Sequence, residues 1–175
     1  MKIIDGLLAE LEQEADTTRR VLERIPQEHL SWKPHPKSMS LGQLALHVAT
    51  VPGNVAEFIA VDTPPRPPGF VQPQAATASE LVPTLKESVV RARRALGDFD
   101  DARMMATWRL QSGGRDVLAM PRVAAARAIM LNHWYHHRGQ LLVYLRLLNL
   151  PVPSVYGPTA DENPFAEVAE AGVRQ

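Results

Sequence analysis

Apolar residues recur every three or four positions in four segments of this chain, with charged and polar residues between them. This spacing is typical of amphipathic helices that bury one face in a shared core. The segments cover residues 4–25, residues from 41 onward through His47, residues from about 77 to 96, and residues from 121 to about 148. The pattern predicts an all-α protein built as a four-helix bundle.

Prolines separate the predicted helices and mark one position inside them. Pro26 ends the first helix, and Ser40 with Gln43 three residues later is typical of a capping box that begins the second. Pro52 lacks a backbone donor, so it predicts either a kink or a one-turn break in the second helix. The proline-rich residues 62–74 predict a long extended crossover between helices 2 and 3.

The segment before the fourth helix carries a different signal. Two short apolar runs flank Ser112-Gly113-Gly114-Arg115, which predicts a short hairpin near residues 105–118. Pro121 then suits the first turn of the fourth helix, where a missing donor has no helical partner in any case.

Composition fits one globular domain of ordinary surface charge. We expect a single domain at residues 1–160 and a C-terminal tail at 161–175, since a chain of 175 residues can bury a sizeable core. Lys+Arg and Asp+Glu are both 19, so no net field attracts nucleic acid or an anionic membrane.

The sequence contains no cysteine, so disulfides, thiolate metal sites and a cysteine nucleophile are excluded. Acidic residues interrupt the apolar N-terminus, and no stretch reaches the ~20 apolar residues of a membrane span, so a cytoplasmic protein is expected.

Three histidines carry the candidate chemistry. His133 and His137 are four residues apart in the fourth helix, so both imidazoles lie on one face, one turn apart. His47 lies alone among apolar residues of the second helix. Three neutral imidazoles suit zinc, nickel or another divalent first-row ion and leave coordination positions open. The alternative is that they are ordinary core or surface histidines.

Neighbouring residues limit the chemistry of such a site. Trp134 follows His133, so the glutamate of the His-Glu-x-x-His zinc proteases is absent and that chemistry is excluded. His136 should face away from His137. Gln140 could hydrogen-bond a bound water or substrate, as could Tyr144, for which core packing is the simpler interpretation. Gly139 in mid-helix indicates either simple tolerance or close approach by a neighbouring helix or a second subunit.

Four motifs together resemble the DinB/YfiT-like family of metal-binding four-helix bundles. The most specific is His133–Leu141, with its His-x-x-x-His-Arg-Gly-Gln pattern. The others are Ser40–Val48 around the lone histidine, Leu30–Pro34 upstream of it, and Pro151–Pro158 near the end. The resemblance covers roughly residues 1–160.

The resemblance implies a bundle with a long crossover, often a homodimer, and a nickel or zinc site. By position it makes His47, His133 and His137 the metal ligands, while catalytic residues stay unassigned. Family members include transferases that use low-molecular-weight thiols such as bacillithiol or mycothiol, and a mycothiol-dependent isomerase. The leading hypothesis is therefore an enzyme that transfers a small-molecule thiol to an electrophilic substrate. The alternatives are a metal-dependent hydrolase and a non-catalytic, stress-associated dimer with a structural metal.

Overall fold

The computed structural model describes residues 1–64 and 72–166, and these form the predicted helical bundle with one small hairpin. The α-helices are α1 (Ile3–Leu22), α2 (Leu41–Ala60), α3 (Leu81–Leu96), α4 (Asp101–Met105), α5 (Arg122–Ala125) and α6 (His133–Leu147). Short 3₁₀ helices at Gln27–His29 and Ala78–Glu80 precede α2 and α3. None of the described helices is both long and apolar enough to cross a membrane.

The fourth bundle helix consists of three segments. It begins with α5, continues through a π-helical segment at Ala126–Asn132, and ends with α6. We call the whole run the long helix, residues 122–147. Its beginning differs from the prediction, because Pro121 closes a β-strand and precedes the helix as its N-cap residue. The π-helical segment was not predicted, because such segments are rare and no residue type in the sequence marks one.

The second helix begins as predicted and passes through its proline. Ser40 accepts a hydrogen bond from the Gln43 backbone N–H, and both halves of the capping box are present. Of the two predicted effects of Pro52, the one-turn break is wrong, because α2 is continuous to Ala60. Just after the proline, the Gly53 N–H donates to Ser88 Oγ of α3 at 2.8 Å. A β-carbon on Gly53 would lie 2.8 Å from the Ser88 carbonyl oxygen, so glycine permits this close α2–α3 contact.

The predicted hairpin is confirmed at slightly later residues. Strands β1 (Thr107–Ser112) and β2 (Arg115–Pro121) pair antiparallel. Gly113 and Gly114 make the turn with φ of 58° and 75°, which suits glycine in a two-residue hairpin loop. The hairpin lies at the end of α2, where the buried Arg122 guanidinium donates to the Ile59 carbonyl at 2.8 Å.

The crossover joins α2 to α3 as expected, although residues 65–71, within the predicted extended stretch, lie outside the described residues. Its second part is bound to the beginning of α2. Gln72 and Gln43 exchange side-chain-to-backbone hydrogen bonds of 3.1 and 3.2 Å, and Gln74 donates to the Leu30 carbonyl at 3.0 Å.

The C-terminal segment packs back on the bundle. Arg146 pairs with Asp161, and Glu162 accepts from the Ser154 backbone N–H at 2.9 Å. Within the predicted tail, residues 167–175 lie outside the described residues. The boundary at residue 160 stays a prediction.

A buried ion pair connects α1, α6 and this C-terminal segment. Arg138 is buried, and its Nη2 lies 2.6 Å from the Glu14 carboxylate of α1. Nη1 of the same guanidinium donates to Thr18 Oγ1 at 3.0 Å. The Tyr156 hydroxyl accepts from Arg138 at 2.6 Å and donates to Glu14 at 2.9 Å. Because every partner is hydrogen-bonded, the charges are tolerated out of water.

Removing the cation alone should therefore destabilise the bundle strongly. In Arg138→Met the Glu14 carboxylate, only 7% exposed, loses its counter-charge, and we expect a loss of about 3–5 kcal/mol in unfolding free energy. Urea denaturation measures the loss. The matched control is Arg19→Met, which removes a surface pair with Asp16 and Glu23 and should cost about 1 kcal/mol or less. Equal losses in the two variants would contradict this account of the ion pair.

Candidate metal centre

The structure brings the three predicted histidines together at the contact between α2 and the long helix. His47 extends from α2, and His133 and His137 extend from the first two turns of α6. His133 Nε2 lies 3.3 Å from His47 Nε2 and 2.8 Å from His137 Nε2. One ring nitrogen from each side chain therefore points to a common centre.

Burial keeps the three imidazoles uncharged. Burial, together with the nearby His137 and His133, lowers the pKa of His47 to about 4. Burial likewise lowers the pKa of His133 and of His137. Near neutral pH all three rings are thus without charge, and a neutral imidazole has the lone pair that a metal ion requires.

The π-helical segment helps to orient His133. The backbone N–H of His133 donates to the Met130 carbonyl rather than to Ile129, its usual α-helical acceptor. The Ile129 carbonyl instead lies 3.2 Å from His133 Nδ1. A carbonyl can only accept, so Nδ1 carries the proton and Nε2 is left with its lone pair.

A glutamine performs the same task for His137. Gln140 Oε1 lies 2.8 Å from His137 Nδ1, so this nitrogen also donates and its Nε2 is free to accept or to bind. Gln140 Nε2 in turn lies 3.1 Å from His136 Nε2, an arrangement in which the amide donates to the exposed ring. Such outer hydrogen bonds fix the tautomer and orientation of metal-binding histidines in general.

The donor set fits a divalent first-row metal ion. Ring nitrogens of the three uncharged imidazoles lie within 4.8 Å of one another, and lone pairs held so close repel one another unless a cation or a proton lies between them. Two imidazole nitrogens at about 2.0–2.1 Å from one ion lie about 2.8–3.4 Å apart, depending on coordination geometry. The distances of 2.8 and 3.3 Å from His133 Nε2 to the other two nitrogens fall in that range. No Asp or Glu of the described residues joins the three histidines in the cluster.

Three residues near the histidine cluster can be compared with the positions and contacts that the sequence predicted for them. His136 is exposed and outside the cluster, as expected. Tyr144 packs against Trp32 and donates to the Met39 carbonyl at 3.3 Å, in agreement with a packing role. Gln140, which the sequence suggested as a possible partner of a bound water or substrate, contacts His137 through its Oε1, and its contact with water or substrate stays a prediction.

At Gly139 a β-carbon would meet no atom within 4 Å among the described residues, so a neighbouring helix does not approach there. Of the two readings of this mid-helix glycine, simple tolerance fits the described part of the chain. Contact with a second subunit at this position stays a prediction.

Comparison with known proteins finds relatives that this chain matches over most of their length. A family model, that of the DinB family, matches residues 2–167. The chain is 26% identical over 166 residues to YrdA of Bacillus subtilis (strain 168), a protein described as uncharacterized, and the match covers 91% of each chain. A DinB-like protein from Bacillus cereus ATCC 10987 has a similar crystal structure, with a TM-score of 0.68, 25% identity, and coverage of 87% of this chain and 97% of that one. The DinB-like protein YjoA of Bacillus subtilis shares the fold at 19% identity, with a TM-score of 0.64 and coverage of 86% and 97%.

The hydrogen bond from His137 to Gln140 should matter for metal affinity. We expect Gln140→Leu, which removes the acceptor of the Nδ1 proton, to weaken zinc binding by about 10–100-fold. Gln140→Glu keeps an acceptor oxygen there and should retain the affinity. Competition with a chromophoric chelator measures both. Equal zinc affinities for the leucine and glutamate variants would show that this hydrogen bond does not hold the ring.

Proposed function

The chain belongs to the DinB family, and from that premise we propose that it binds one divalent metal ion, nickel or zinc, through His47, His133 and His137. The observation that carries the proposal is the convergence of three uncharged imidazole nitrogens on one centre. Three protein ligands leave positions for an exchangeable molecule, which is the pattern of reactive rather than closed structural sites.

We further propose that the site serves an enzyme that transfers a low-molecular-weight thiol to an electrophilic substrate. A divalent ion held there would lower the pKa of a thiol or water molecule that reached it. In the transfer the thiol gives up its proton to the solvent, its sulfur forms a bond to the electrophilic carbon, and the bond from that carbon to the leaving group breaks, so that the leaving group departs with the electron pair. The chain has no cysteine, so the sulfur must come from a second substrate.

The residues of the chain prepare the centre for such a reaction. Ile129 and Gln140 hold two of the imidazoles as Nδ1–H tautomers, so that neither needs to lose a proton before binding the ion. The buried position of His47 limits access of bulk water on the α2 side. Hydrolysis with water as the nucleophile is the alternative, because the same ion would lower the pKa of a bound water molecule as well.

The decisive test combines metal content with a thiol-transfer assay. Protein purified without a polyhistidine tag should contain about one nickel or zinc ion per chain by elemental analysis and should conjugate a small thiol to a model electrophile. His133→Ala should lose both, since it removes an imidazole whose Nε2 lies 3.3 Å from His47 Nε2 and 2.8 Å from His137 Nε2. His136→Ala is the matched control, because this neighbouring histidine is exposed and outside the cluster.

The outcomes separate the candidate functions. Turnover that needs metal but not thiol would replace transfer by hydrolysis. Bound metal without turnover in either assay would favour a structural ion in a non-catalytic protein. A protein without metal, even after reconstitution with nickel or zinc, would reject the proposed site altogether.

We also propose that the protein is a homodimer. Val143 and Leu147 are 58% and 56% exposed, one turn apart on α6, and the exposed Gly139 precedes them by one more turn. Two such stripes packed together would bury apolar surface that otherwise faces water. Analytical ultracentrifugation should give twice the chain mass, and Val143→Glu should give monomers. A monomer at micromolar concentration in the unsubstituted protein would contradict the proposal.

A further inference from the structure

Pro52 leaves one carbonyl of α2 without its helical donor. In a regular α-helix the N–H of residue 52 would donate to the carbonyl of residue 48, four positions earlier. Proline has no N–H, yet α2 continues through this position from Leu41 to Ala60. The Val48 carbonyl is buried with its residue, so water cannot replace the missing donor without cost.

Trp134 of the long helix provides the missing donor. Its indole Nε1 donates to the Val48 carbonyl at 2.8 Å, and both residues are fully buried. The bond therefore runs between the two helices that carry the three histidines. Val48 directly follows His47, and Trp134 directly follows His133, so the bond connects the immediate neighbours of two proposed ligands.

A second tryptophan shows that burial alone does not require such a bond. Trp108 of β1 is also fully buried, but its Nε1 has no hydrogen-bond partner among the described residues. The two indoles thus have the same burial and differ in hydrogen bonding. Trp108 packs against Phe58 near the hairpin, so it serves as an internal control for the loss of an indole ring.

We propose that Pro52 and Trp134 are positioning residues that set the register of α2 against the long helix and so place His47 opposite His133 and His137. The inference rests on the proposed metal site. It adds the hydrogen bond that aligns the histidine of α2 with the two histidines of the long helix. In a well-formed metal site the ligand distances lie within about 0.2 Å of their usual values. Apolar packing is not directional, whereas a hydrogen bond has a preferred length and angle and therefore fixes a register more narrowly.

The first experiment compares two conservative tryptophan variants. Trp134→Phe keeps most of the ring volume and removes the donor, and we expect its zinc affinity to fall about tenfold or more, in the range seen for outer-sphere partners of metal ligands. Trp108→Phe should change zinc affinity less than twofold. Both are measured by competition between the protein and a chromophoric chelator for Zn²⁺, at a temperature where each variant is fully folded.

The second experiment separates positioning from stability. In the double variant Trp134→Phe/Pro52→Ala, position 52 regains a backbone N–H that can donate to the Val48 carbonyl, which satisfies this carbonyl within α2. We expect the thermal midpoint to recover relative to Trp134→Phe, while zinc affinity stays weak because no bond joins the two helices. Recovery of affinity together with the midpoint would show that Trp134 only satisfies a buried carbonyl, and would overturn the proposal.

Two further outcomes would reject the positioning role, and they differ in what they say about the metal site. Unchanged zinc affinity in Trp134→Phe, with normal binding by the unsubstituted protein, rejects the positioning role and leaves the metal site intact. No zinc binding by the unsubstituted protein rejects the proposed function and this inference with it.

Discussion

The contact between α2 and the long helix is the constraint on which the other features of this structure depend. Three uncharged imidazoles meet there with their Nε2 atoms 2.8 and 3.3 Å apart. Burying three polar rings in this way has a cost unless each nitrogen has a partner. Backbone and side-chain acceptors satisfy the Nδ1 atoms of His133 and His137, and a metal ion between the Nε2 atoms would satisfy the remaining lone pairs.

The bundle around this contact is held by directional interactions as well as by apolar packing. Gly53 allows α3 to lie close against α2, and the Ser88 hydroxyl donates to the Thr50 carbonyl at 3.1 Å while accepting from Gly53. Arg138, the residue after His137, pairs with Glu14 of α1. The long helix is therefore fixed to α1 within one residue of a proposed ligand, so bundle stability and the geometry of the site are connected.

Much of the fold and of the candidate site follows from local sequence patterns. Apolar periodicity gives the four bundle helices, Ser40 and Gln43 give the beginning of α2, and the glycine pair at 113–114 gives the hairpin. The four-residue spacing of His133 and His137 places both rings on one face because helix geometry alone determines it. Each of these signals depends on residues close together in the chain.

The features that sequence did not reveal depend either on distant residues or on backbone and side-chain conformations that residue spacing does not determine. The sequence showed that Pro52 removes a donor, but not that Trp134, 82 positions later, would supply another. The carbonyl partner of His133 depends on a change of helix type that no residue pattern marked. Gln140 was assigned to the correct face, yet its contact with His137 depends on side-chain rotamers, which periodicity does not determine.

X-ray absorption spectroscopy of untagged protein loaded with one equivalent of zinc tests the central claim most directly. The account predicts three imidazole nitrogens at about 2.0–2.1 Å from the ion, together with the multiple-scattering signal of histidine rings, and one imidazole fewer in His47→Ala. A coordination shell of oxygen atoms alone, or a spectrum unchanged by His47→Ala, would contradict the assignment of these three histidines as a shared metal centre.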